Sequence, residues 1–165
     1  PGARYAADSL VFGQNIKAIS WNFDSSARYA KVVVLGQHHG TSTGVRGESR
    51  DLSLARQDRV KVIPADSAST KADVQKIAEW EQSIAAGRGT QVDVTVQGWE
   101  MSNGEDWPLG AQVNVRAEPA GIDGSLIIQQ IANSISDEEG SATTITLTHP
   151  SAYIAPPDRK DAWKE

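Results

Sequence analysis

Among residues able to carry chemistry, the three histidines come first: His38, His39 and His149. Adjacent side chains on an extended backbone point to opposite faces, so His38 and His39 do not converge on one metal ion. The carboxylates that stand close in sequence are Glu79 with Glu81 and the run Asp137-Glu138-Glu139. Two carboxylates can hydrolyse a glycoside when they face each other across a cleft. Two positions apart on a helix they diverge, and the acidic run has the composition of a turn, so both clusters read as solvated charge. Scattered Ser and Asp give no Ser-His-Asp arrangement by spacing. With no Cys there is no thiol nucleophile, thiolate metal site or disulfide. No P-loop, dinucleotide fingerprint or EF-hand loop is present. The expectation is a protein with no catalytic residue, no metal and no cofactor.

The unusual enrichment is five tryptophans, Trp21, Trp80, Trp99, Trp107 and Trp163. Large rings supply much of the buried area of a lean core, so Trp80, Trp99 and Trp107 are expected to pack the helix, a central strand and the loop after it. The rival is a carbohydrate-binding β-module, whose exposed rings would stack on sugars.

The elements that must position these residues follow from hydrophobic period. Residues 16–23 and 29–35 read as strands, with the turn Asp24-Ser25-Ser26 suggesting a hairpin between them. Residues 36–58, rich in Gly, Ser and Thr, read as one long loop. Its Arg46 and Arg50 belong to a local positive bias and are candidates for contact with a partner. Val60 and Val62 alternate in a further strand that Pro64 ends. Thr70 to Asp73 has the form of a helix start, and Val74, Ile77, Ala78, Trp80 and Ile84 recur at helical spacing up to residue 86, with Gly87 and Gly89 as stops. Glu81 falls within the apolar arc, at the stripe edge. Val92, Val94 and Val96 alternate with polar residues, as do Val113 and Val115, and Ile145 and Leu147. Leu126 to Ile131 reads as a strand apolar on both faces.

Val and Ile together outnumber Leu by 25 to 7, and branched side chains favour strands. The resulting class is α+β and strand-dominated. An α+β unit over residues 1–97 has one main helix on a sheet and contains the 36–58 loop. A small antiparallel barrel or sandwich follows over 98–155, then a tail over 156–165. A net charge of −5 argues against a general nucleic-acid binder. No run approaches the roughly 20 apolar residues that cross a bilayer as a helix, so no membrane insertion is expected. The first residue is Pro1, and a processed or cut product is expected.

Several spaced blocks stand in a telling order: Ala7-Asp8-Ser9-Leu10 with Gly13-Gln14-Asn15-Ile16, Arg28-Tyr29, Val34-Leu35-Gly36-Gln37 and Ala78-Glu79-Trp80-Glu81. They continue with Val94-Thr95-Val96-Gln97-Gly98-Trp99, Gly104-Glu105-Asp106-Trp107-Pro108-Leu109-Gly110, Val113-Asn114-Val115 and Leu126-Ile127-Ile128. The last are Gly140-Ser141-Ala142-Thr143-Thr144 and Leu147-Thr148-His149-Pro150-Ser151-Ala152-Tyr153. In this order they resemble the tail baseplate hub protein of Mu-like contractile phages and prophages, over nearly the whole chain. Such proteins are about twice as long, so the chain is similar to their C-terminal half. The resemblance implies a non-enzymatic subunit located in the virion tail baseplate and made in the bacterial host cytoplasm. It also implies a homotrimeric ring of β-barrel-like and α+β modules joining the tail tube to a membrane-piercing spike. DNA would pass through its channel without specific binding.

Overall fold

The computed structural model describes residues 4–36, 44–65, 70–137 and 140–157. In chain order its elements are β1 (Leu10–Val11), β2 (Ile16–Phe23), β3 (Lys31–Gly36), β4 (Val45–Arg50), β5 (Val60–Ala65), α1 (Lys71–Arg88), β6 (Thr90–Gln97), β7 (Gln112–Ala117), β8 (Ile122–Ser136) and β9 (Gly140–Thr148). The protein is strand-dominated with one main helix; it has a larger sheet that curls into a half-barrel and a second, small sheet. The chain divides into two units, residues 1–24 with 90–150, and residues 25–89 with 151–165.

The first unit is the curled sheet, with strand order β1-β7-β8-β9-β6-β2. All neighbours are antiparallel except β1 and β7. The alternation on β6, β7 and β9 turns Val92, Val94, Val113, Val115, Ile145 and Leu147 to one face, where each is fully or almost fully buried. Burying a side chain of this kind stabilises by about 1.5–3 kcal/mol. Met101 and Trp107, from the stretch between β6 and β7, join the same core. Gly121, at φ 64°, takes the left-handed conformation just before β8 that a side chain would resist.

The second unit is a three-stranded sheet, order β4-β3-β5, with β3 antiparallel to β4 and parallel to β5. The helix covers one face: Val32 and Val34 of β3 pack with Val74 and Ala78 of α1. Thr70 caps the helix by accepting a hydrogen bond from the Asp73 N–H at 3.2 Å. Gly47 lets the helix approach the β4 backbone, since a Cβ there would stand 2.5 Å from the Val74 carbonyl carbon.

Four expectations are corrected. The β2–β3 hairpin does not form, because β2 pairs with β6 and β3 belongs to the other sheet. Residues 36–58 are not one loop: β4 lies within them, its inward positions held by Val45, Gly47 and Ser49 rather than by an apolar run. The helix continues through Gly87 to Arg88, with Gly89 as the cap; the glycine at 87 serves close packing, since a Cβ there would meet the Ala152 N at 2.3 Å. A division at residue 97 gives way to the one above, because β6 pairs on one side with β2 and on the other with β9.

Candidate assembly surfaces

Beyond the first residue of β7, the long β8 loses its neighbour. The last paired residues are Gln112 and Ile127, supplemented by the Ile128 N–H donating to the Ala111 carbonyl at 2.9 Å. From Gln129 to Ile135, β8 keeps β9 on one side and has no strand on the other among the described residues. At the far side of the same sheet β6 is the only strand paired with β2 among the described residues, apart from a single bridge between Ile16 and Phe12. Exposed edges are ordinarily blunted by charge, proline or bulges, because their backbone groups can pair with another chain. Residues 129–135 hold neither a charge nor a proline, with one register shift at Gln129 at their start, and β2 holds one Lys, Lys17, at a register irregularity of its own.

The apolar face of the sheet runs out to both edges without being covered. Trp21 stands opposite Val92, and Ile135 opposite Ser141 beyond the Ile131 and Ile145 pair, all on the core side by register. Trp21 is 43% exposed, Phe23 55% and Ile135 74%. Large apolar side chains left this open beside an unpaired edge mark an interaction surface.

The second unit presents another surface, the side of its sheet away from α1. Across it run the rows Arg50, Lys31, Val60; Glu48, Val33, Val62; and Arg46, Leu35, Pro64. One half is apolar, with Leu35, Val60 and Val62 about half-exposed. The other half is ionic: the Glu48 carboxylate pairs with Lys31 at 2.9 Å, Arg46 at 3.0 Å and Arg50 at 3.4 Å. The hydrogen bond from Lys31 is the largest effect on the Glu48 carboxyl; burial opposes it, and the charges of Lys31, Arg50 and Arg46 add to it, so the group is held below its ordinary value. Nearby, burial would raise Asp51, but the Ser53 hydroxyl and the Arg28 guanidinium outweigh it and hold that carboxyl low.

The sequence-singled tryptophans do not gather. Trp107 is 6% exposed in the core of the first unit, its indole N–H buried without a hydrogen-bond partner. Trp99 is 44% exposed and donates to the Ser134 carbonyl at 3.1 Å, so it clasps β8 rather than filling the core. Trp80, in the second unit, is half-buried and donates to the Ile154 carbonyl at 2.8 Å. Arg46 and Arg50 are exposed and bound to Glu48 as above.

The carboxylates are held by structural partners. Glu79 accepts from Gln75 at 2.8 Å, and Glu81 pairs with Lys61 at 3.0 Å. His149 is exposed, while His38, His39, Glu138, Glu139 and Trp163 lie outside the described residues. Among the described residues, no three His, Asp or Glu gather to hold a metal. A Gly-x-Ser-x-Gly string, missed in the sequence reading, stands at residues 40–44. Its residues 40–43 lie outside the described residues. The open edges were also missed; the absence of charge and proline over 129–135 was their available signal.

Comparison with known proteins agrees with this architecture. Residues 70–156, just over half of the chain, match the family model of Mu phage baseplate assembly protein GpP, fourth domain. The chain is 24% identical to baseplate hub protein gp44 of Escherichia phage Mu, over 96% of its own length and 45% of that protein's. The 43 kDa tail protein of prophage MuSo2 from Shewanella oneidensis superposes with a TM-score of 0.76 at 26% identity, covering 92% of this chain and 44% of that one. A tail protein from Neisseria meningitidis MC58 shares the fold, with a TM-score of 0.71 at 21% identity over 92% of this chain and 48% of that one. The chain thus spans less than half the length of these relatives. It belongs to the family of Mu phage baseplate assembly protein GpP, whose fourth domain it carries, and is a structural protein of the tail baseplate of Mu-like phages.

Proposed function

We propose that this chain is part of a baseplate hub subunit that forms a homotrimeric ring between the tail tube and the membrane-piercing spike, and that it catalyses no reaction. DNA passes along the axis of the ring without specific binding. The observation that carries this reading is the pair of open edges on one sheet, each with uncovered apolar side chains beside it. Two different edges on one subunit suit a head-to-tail interface, which closes into a ring when the rotation between successive copies returns to its start. A fully closed barrel would have no edge to offer. Residues 36–58, with β4 at their centre, supply a further contact between subunits. The relatives whose names carry the words baseplate hub and tail support the same role.

The rival, a carbohydrate-binding module, needs free aromatic platforms. Trp99 spends its N–H on β8 and Trp21 sits at an open edge, which favours assembly over sugar stacking. The test is the mass of the chain by light scattering over a range of concentrations. The ring reading expects a trimer that grows in with concentration; a monomer throughout contradicts it.

A further inference from the structure

The outer face of the β4-β3-β5 sheet combines two features that call for one kind of partner. Three cations surround the single carboxylate of Glu48, leaving two positive charges in excess on a chain whose net charge is −5. Beside them lies a bare patch of Leu35, Val60 and Val62. A polyanion such as nucleic acid would be met by an unbroken cationic stripe; here half of the face is apolar and a carboxylate stands among the cations. What fits is a protein surface with an exposed aliphatic side chain followed closely by carboxylate.

The chain itself presents that chemistry elsewhere. At the end of β8, Ile135 is the most exposed large apolar side chain of the strand, and Asp137 stands exposed two residues on. Among the described residues, no strand other than β9 pairs with β8 over Gln129 to Ile135. We propose that the end of β8 of one copy docks on the outer face of the β4-β3-β5 sheet of a second copy, Ile135 against Leu35 and Val62, and Asp137 against Arg46 and Arg50. This rests on the self-assembly reading above and names a surface that it uses. The contact is heterologous, joining two different patches, so its repetition is compatible with ring closure. Fixing the register of two copies is what a charge pair at the rim of an apolar contact does best.

A charge exchange tests it. The double variant Arg46→Glu, Arg50→Glu and the single variant Asp137→Arg should each raise the concentration needed for assembly about tenfold, because like charges then face each other. Combining all three substitutions in one chain should restore most of the loss. Ile135→Ser should weaken assembly without any charge change, and unchanged far-ultraviolet circular dichroism checks that each variant folds. If the chain assembles and the reversals leave its midpoint unmoved, the proposed contact is wrong while the ring reading stands. If the reversals weaken assembly but their combination does not restore it, Arg46 and Arg50 meet some other group and the pairing is wrong. If the unaltered chain is monomeric at every concentration, both readings fail together.

Discussion

Trp99 and Trp107 lie in the same stretch between β6 and β7 and play different parts. Trp107 fills the core beside Met101, so removing its ring leaves a cavity as well as lost burial, and Trp107→Ala should cost about 3–5 kcal/mol. Trp99 is half open to solvent and chiefly holds the Ser134 carbonyl, so Trp99→Ala should cost about 1 kcal/mol, the net worth of one hydrogen bond. Urea unfolding of the two variants beside the unaltered chain measures both losses; equal losses would contradict the assignment. Sequence alone could not separate the two rings. Both follow or precede glycine-rich turns, and neither sits in a periodic stretch that assigns it a face.

At the scale of elements, the second unit is tied by a clasp between the entry to β3 and the exit from β4. Arg28 pairs with Asp51, whose N–H donates to the Ala30 carbonyl at 2.8 Å. Because the folded Asp51 carboxyl titrates below its ordinary value of 3.8, its stabilising contribution is fully present above that value. The contribution is lost as pH falls through the lower folded value. Thermal melting from pH 6 down to about pH 2 should therefore show the unaltered chain losing stability faster than Asp51→Asn as acid is added. Parallel decline of the two would remove the clasp from the account.

Elements whose inward residues are apolar and alternating, β6, β7 and β9, were readable from the sequence, as was the start of α1 at Thr70. Strand β4 was not, because its inward positions are Val45, Gly47 and Ser49, and the glycine serves the close approach of α1 rather than burial of its own side chain. The partner of β2 was hidden for a different reason. The turn after Phe23 announces a change of direction, but the strand that pairs with β2 begins at Thr90, and local pattern carries no information on so distant a pairing.

At the scale of the molecule, each unit is built from two separated stretches of chain, residues 1–24 and 90–150 for the first and residues 25–89 and 151–165 for the second. That arrangement makes the edges invisible to a linear reading: whether a strand lies at an edge is a property of sheet order, which only the folded chain defines. The family, by contrast, was readable, because it rests on several blocks in a fixed order rather than on any one element. The central claim is that the outer sides of β2 and β8 are where copies of the chain join. Hydrogen exchange of the backbone amides, compared between dilute and concentrated protein, tests it most directly. Amides of residues 129–135 and of β2 that point away from β9 and β6 should exchange fast in dilute solution and slowly in the assembled state. An assembled state in which those amides still exchange at the dilute rate would contradict the account.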